Sequence, residues 1–256
     1  MTFNEANTVE AFIRDLLCGG IVHHTTVGPG LARRSGHVSG LGWHFLSNLN
    51  LPRQVHEPLV EGHLRDALIR LNPSIAARPD RVDDVVYRLR AIVIGVRTDG
   101  LVKANEEFAT WIRGEKSMPF GANGEHVTIK LIDFDDFEQN QYVVSQQYTL
   151  RAGKTEKRAD LVLLVNGLPL VLIEAKTPVR SSQSWLDGAL QVHEYYERNV
   201  PELFVPNVFS IATEGKELRY GAVRMPVELW GPWRLEDESA PPAMLEVEKA
   251  VTSMLR

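Results

Sequence analysis

The 256-residue sequence predicts an α/β protein, a mixed β-sheet flanked by helices with a helix-rich first half. Two features carry this expectation. Up to about residue 120, apolar residues recur every three or four positions; from about His126 they alternate or run together, with β-branched and aromatic residues prominent. With 44% apolar and 24% charged residues the chain can bury a sizeable core, which excludes a disordered or fibrous protein.

Taken in order, Val9, Phe12, Ile13, Leu16 and Leu17 share one helical face, capped by Asn4 or Asn7 and stopped at Gly19-Gly20. Seven glycines between Gly19 and Gly42, with the Gly28-Pro29-Gly30 turn among them, predict an irregular loop. Three amphipathic helices follow, each stripe read as core: Val60, Leu64, Ala67, Leu68 and Leu71 up to Asn72-Pro73; Val82, Val85, Val86, Leu89, Ile92, Val93 and Val96 behind Asp80; Ala104, Phe108, Trp111 and Ile112 up to Gly114. Strands are expected at 126–134, 142–150, 159–165 and 170–176, then a helix from about Ser184 to Asn199, then short strands at 208–212 and 218–222. Asn166-Gly167 joins the third and fourth strands as a hairpin, and their near-continuous apolar runs predict burial on both faces. Residues 1–235 therefore read as one domain, helix-rich over 1–120 with a sheet core over 126–224. The acidic Pro-Pro stretch after Trp233 reads as a linker, and Met244 to Leu255 as the start of a following domain that the chain does not contain.

Several functions are set aside. Cys18 is the only cysteine, so there is no disulfide framework; with no signal segment at the start, a reducing cytoplasm is expected. No apolar run reaches the roughly 18 residues of a spanning helix, so no membrane role is expected. A net charge of −5 argues against a generally basic, nucleic-acid-coating surface but is silent about a local basic groove. His193 with Glu197 lacks a third zinc ligand, His23-His24 reads as a polar turn, and no Gly-x-Ser-x-Gly elbow or phosphate-binding Walker loop is present, so this segment does not bind ATP by that route.

Buried strands do not carry charge without reason, yet the hairpin carries Asp160, Glu174 and Lys176. Pairing centred near Gly167 sets Asp160 across from Glu174, with Cβ atoms about 4.5–5.5 Å apart. Lys176, two residues on, projects from the same face. Carboxylates that close repel unless a proton or a cation lies between them. A hard divalent ion meets that need: Asp160, one Glu174 oxygen and a carbonyl near Ala175 supply oxygens for Mg²⁺, with Mn²⁺ able to substitute. Lys176 then assists the attacking water and offsets charge on a phosphate. The chemistry expected is hydrolysis of a phosphodiester.

Asp160, a spacer of thirteen residues and Glu174-Ala175-Lys176 resemble the PD-(D/E)xK nuclease signature. The longer string from Arg158-Ala159-Asp160 through Asn166-Gly167-Leu168-Pro169 to Lys176 resembles the endonuclease domain of the restriction (R, or HsdR) subunit of type I restriction-modification enzymes. Ala159 stands where that family usually has Pro, a residue that shapes the start of the strand and binds nothing. The resemblance extends to Leu131-Ile132-Asp133-Phe134, Asn140, Leu218-Arg219-Tyr220-Gly221 and Leu68 to Pro73, and so covers most of the chain. It implies a restriction-endonuclease-like fold, Mg²⁺-dependent cleavage of double-stranded DNA, and assembly with modification (M) and specificity (S) subunits. It also implies that ATP is used only by translocase domains missing from this chain.

Further residues follow from the same resemblance. Gln191 and Tyr195, four apart and sharing a helical face with Asp187 and Arg198, match the Gln-x-x-x-Tyr motif of the RecB-like branch, which positions the substrate backbone. Many such nucleases carry an acidic residue on an N-terminal helix that reaches the metal; Glu10 or Glu5 fills that place, a solvated helix glutamate being the plainer alternative. Arg151, Lys154, Lys157 and Arg158 are read as DNA-backbone contacts, or else as a solvated charged loop. Two rivals stand beside the nuclease: a nuclease-like but non-catalytic docking or DNA-positioning module, and a glycosidase, in which the lysine has no role.

Overall fold

The computed structural model describes residues 9–24, 34–176, 184–233 and 243–255. Helix α1 (Val9–Cys18) buries the five apolar residues of its stripe, and β1 (Gly20–His24) and β2 (Arg34–Val38) pair antiparallel behind it. The expected irregular loop is therefore partly a two-stranded ladder, since Gly20 and Gly36 lie within strands whose other residues tolerate an extended backbone. Asn4, Asn7, Glu5 and the Gly28-Pro29-Gly30 turn fall outside the described residues. Then come β3 (His44–Phe45), α2 (Glu61–Leu71), the single turn α3 (Pro73–Ala76), α4 (Arg81–Asp99) and α5 (Leu101–Ile112). The three amphipathic stripes lie on α2, α4 and α5, and their Leu64, Leu68, Val85, Leu89, Phe108 and Trp111 face a common core, whereas Val60 precedes α2 and belongs to the core on the other face of the sheet.

The second half supplies β4 (Ser117–Met118), β5 (Val127–Thr128), β6 (Tyr142–Ala152), β7 (Thr155–Val165) and β8 (Leu168–Ala175). After these come α6 (Trp185–Leu190), a π-helical turn at Gln191–Tyr196, α7 (Glu197–Asn199), β9 (Phe209–Thr213), β10 (Leu218–Gly221) and α8 (Ala243–Met254). Six strands form one mixed sheet in the order β10-β9-β8-β7-β6-β3, with β8–β9 and β3–β6 parallel and the rest antiparallel.

One strand expectation is corrected. Of residues 126–134 only Val127 and Thr128 are extended in a ladder, and they pair with β4 rather than joining the large sheet. Two residues past Thr128 the side chain of Asn72 takes over the backbone, accepting from the Lys130 N–H at 2.8 Å and donating to the Lys130 carbonyl at 2.8 Å. Ile129, Leu131 and Ile132 are buried without being a strand, and the sheet edge beside β6 is taken by His44–Phe45. Val247, Ala250, Val251 and Leu255 of the last helical segment are buried in the same core as α1, and Trp43 Nε1 donates to the Leu255 carbonyl at 3.0 Å, so this helix packs against α1.

The sheet separates two cores. Along β7 and β8, Leu161, Leu163, Val171 and Ile173 face the core built with α1, α2, α4 and α5, while Val162, Leu164 and Leu172 face Ala189, Val192, Tyr196 and Val200 of the helix after the sheet. Burial on both faces explains why these strands read as unbroken apolar runs.

The β7–β8 turn sets the register. Asn166 (φ 52°) and Gly167 (φ 80°) both take left-handed backbone, as a two-residue I′ hairpin requires, and pair Val165 with Leu168 and Leu164 with Pro169. Continued unbroken, that register would put Asp160 opposite Ile173. Leu170 is instead an extra residue, and the ladder resumes as Leu163 with Val171, Val162 with Leu172 and Leu161 with Ile173, which places Asp160 across from Glu174. The Leu170 carbonyl, released from the ladder, accepts from Val208 N at 2.8 Å and from Asn207 Nδ2 at 3.2 Å. At Gly167 a Cβ would come within 2.3 Å of the Val60 carbonyl oxygen, on a backbone that L side chains resist. Gly167→Ala is therefore expected to destabilise the domain by at least about 2 kcal/mol in urea titration; a loss under about 0.5 kcal/mol would contradict this account of the turn.

Candidate active site

The hairpin brings its three charges together. Asp160 Oδ2 accepts from the Ala175 N–H at 2.8 Å, which fastens the carboxylate to the facing strand. Lys176 leaves β8 with its own N–H on the Thr213 carbonyl of β9, and turns its ammonium back to Glu174 Oε1 at 2.9 Å. The second Lys176 contact is Gln191 Oε1 at 2.7 Å, while Gln191 Nε2 donates to Glu174 Oε1. Glu174 Oε1 thus accepts twice. Its other oxygen, Oε2, is buried and no donor reaches it.

Burial removes the water that would stabilise ionised Glu174, and the negative charge of Asp160 adds to the effect; Lys176 opposes both without cancelling them. The Glu174 carboxyl is pushed up to about 8. Near neutral pH the pair is therefore held by a proton where no cation replaces it. Among the described residues no three His, Cys, Asp or Glu side chains gather as a metal-binding group. Two carboxylates with one buried unsatisfied oxygen nevertheless suit Mg²⁺, which commonly takes one or two carboxylates and completes its shell with water and substrate phosphate.

Helix α6 passes close to the site at Gly188, where a Cβ would meet the Ala212 Cβ at 3.3 Å and the Glu174 carbonyl at 3.4 Å. Ser184 and Asp187 cap the helix reciprocally. The π turn then alters the face expected from α-helical spacing. Its i→i+5 bonding, seen in the Glu197 N–H to Val192 carbonyl bond, brings Tyr196 rather than Tyr195 to Gln191. Tyr196 is buried and its hydroxyl donates to the Arg158 carbonyl at 2.8 Å; Tyr195 is 58% exposed. Sequence spacing gave no signal for this exchange, nor for the close approach at Gly188.

Lys157, Arg158, Gln191, Tyr195, Tyr196 and Arg198, together with the acidic Glu156, Asp187 and Glu194, line an open cleft of about 800 Å³, which Gln191 connects to Glu174. Of the four basic residues singled out, Lys157 and Arg158 reach this cleft, whereas Arg151 is paired with Glu156 at 2.6 Å and Lys154 is exposed on the β6–β7 turn. Glu10 is buried, but the structure does not gather it with Asp160 and Glu174. It accepts from Gln147 Nε2 at 2.9 Å, and Gln147 (φ 55°) stands in β6 between the two residue pairs that flank Asp160. His193 contacts Glu194, and Glu197 accepts from the Arg224 N–H, so that pair is committed elsewhere.

A mixed sheet whose central hairpin ends in an Asp-Glu-Lys cluster, backed by helices on both faces, defines a restriction-endonuclease-like α/β domain. The chain belongs to the family described as type I restriction enzyme R protein N terminus, which matches residues 35–227. The chain is 32% identical over 232 residues to the type I restriction enzyme HindI endonuclease subunit of Haemophilus influenzae, covering 85% of this chain and 21% of that protein. It is 27% identical over 228 residues to the putative type I restriction enzyme MjaIXP endonuclease subunit of Methanocaldococcus jannaschii, covering 86% and 21%. The chain thus spans about a fifth of the length of these relatives.

The raised Glu174 carboxyl has a consequence for stability. The folded state holds this proton more tightly than the unfolded state, so its contribution is fully present below about pH 4.5 and is lost as pH rises towards 8. Stability of the metal-free chain relative to Glu174→Gln should therefore fall between pH 5 and pH 8, as read from denaturation midpoints. A pH-independent difference between the two would count against the proposed environment of Glu174.

Proposed function

We propose that this domain is the Mg²⁺-dependent endonuclease domain of a type I restriction enzyme R subunit, hydrolysing phosphodiesters of double-stranded DNA. The observation that carries the reading is the division of labour on Glu174. Oε1 is taken by Lys176 and Gln191, while Oε2 is buried with no protein donor and lies beside the Asp160 charge, so the two carboxylates need either a shared proton or a cation between them, and a divalent ion supplies the second.

Asp160 and Glu174 Oε2 would hold the ion. When bound, Mg²⁺ supplies Lewis-acid activation of water and phosphate. The chain's own groups do the rest. Lys176 spends two of its three ammonium protons on Glu174 and Gln191, which leaves one donor to face the reacting phosphate or water. Gln191 fixes the carboxylate and the lysine relative to each other. Lys157, Arg158 and Tyr195 line the cleft through which a DNA backbone would approach, and backbone cations of this kind position the strand without reading sequence. The matched segment is about a fifth of the whole relatives, and we assign ATP use and contacts with M and S subunits to the assembled enzyme rather than to this segment.

In the full-length R subunit assembled with its partners, Asp160→Ala and Lys176→Ala should each lower Mg²⁺-dependent cleavage of double-stranded DNA by at least about 10²-fold. DNA-stimulated ATP hydrolysis should be retained. Undiminished cleavage in either variant would sink the assignment.

A further inference from the structure

We infer that Tyr196, rather than the motif tyrosine Tyr195, is the positioning residue that works with Gln191. The inference rests on the nuclease reading above and concerns the same site. It follows from counting donors and acceptors. A Lys ammonium only donates, so it must meet the oxygen of the Gln191 amide, as it does at 2.7 Å. A tyrosine hydroxyl has one proton, and Tyr196 gives it to the Arg158 carbonyl at 2.8 Å, a main-chain acceptor on β7 two residues before Asp160. The same hydroxyl can therefore only accept from Gln191, which obliges the amide nitrogen to face Tyr196 and Glu174 Oε1. The two ends of the amide are thus fixed by different partners. Lys176 alone would tolerate a swing of the Gln191 side chain; Tyr196 removes that freedom and ties the Gln191–Glu174–Lys176 group to the strand that carries Asp160.

The local fold supports this division. The π turn makes residues five apart neighbours, and Val192 and Ala189 pack with the Tyr196 ring in the core on this face of the sheet, so its hydroxyl is held by both packing and bonding. Tyr195 differs in burial and bonding: both tyrosines line the open cleft, but Tyr195 is 58% exposed whereas Tyr196 is buried with its hydroxyl on Gln191 and the Arg158 carbonyl. The two adjacent tyrosines therefore have separable roles, one acting through Gln191 and the other on the DNA.

Tyr196→Phe keeps the ring and removes only the hydroxyl. In the assembled full-length enzyme it should lower the single-turnover cleavage rate by about tenfold or more with DNA affinity changed less than about twofold, the pattern of a misplaced catalytic group. It should also be non-additive with Gln191→Ala, the double variant being no slower than Gln191→Ala alone, because Tyr196 acts through Gln191. Tyr195→Phe should add to Gln191→Ala independently. The inference is overturned by additive effects of Tyr196→Phe and Gln191→Ala, by an unchanged cleavage rate in Tyr196→Phe, or by coupling of Gln191 to Tyr195 instead. Asp160→Ala in the same assay separates the two levels: full cleavage in that variant removes the nuclease reading itself, whereas its loss beside a fully active Tyr196→Phe removes only the assignment of Tyr196.

Discussion

The bulge at Leu170 is the constraint from which the site follows. Side chains of a β-strand alternate between faces, so a shift of one residue in pairing exchanges the two cores. The Asn166-Gly167 turn by itself sets the wrong register for chemistry, with Asp160 against Ile173 and Glu174 on the face away from Asp160. One additional residue in β8 corrects it, and the carbonyl so displaced is captured by Val208 and by buried Asn207. Asn207 is in turn braced, its carbonyl accepting from Asn105 Nδ2 on α5 at 2.8 Å. A helix of the first half thus supports the register that brings the two carboxylates together.

The second constraint is the spacing of the helix laid over the site. Helix α6 lies close against β8 at Gly188, and the π turn immediately after it rotates Gln191 and Tyr196 onto one line with Glu174 and Arg158. An uninterrupted α-helix would present Gln191 and Tyr195 together. Buried charge here is tolerated because almost every polar atom is paired, through Lys176, Gln191, the Ala175 N–H and Tyr196. The exception is one oxygen of Glu174, which has no protein donor.

Much of this was legible in the sequence, for physical reasons that differ between elements. The helices of the first half show their stripes because each buries one face only. The charges in the hairpin stood out because everything around them is apolar. The pairing of Asp160 with Glu174 was inferred by taking the turn as centred on Gly167, which happens to equal a two-residue turn plus one bulge residue; neither was visible separately. What sequence did not reveal depends on contacts between distant residues. Asn72 holding the Lys130 backbone keeps 130–134 from joining a ladder, and the return of α8 onto α1 is invisible to any local pattern. The exchange of Tyr195 for Tyr196 arises from a helix type that the usual 3.6-residue period cannot represent.

The edge strand His44–Phe45 has a consequence for the order in which the molecule assembles. Strands β6, β7 and β8 are consecutive and joined by tight turns, so their ladders close short loops. His44 pairs with Val143 in parallel, across a segment that contains three of the longer helices of the first half. Closing so large a loop gains only two ladder residues, too little to offset its entropic cost until α2, α4 and α5 have packed on the meander. The hairpin with the three charges is thus among the parts of the sheet least dependent on long-range closure, and the edge strand is among the most.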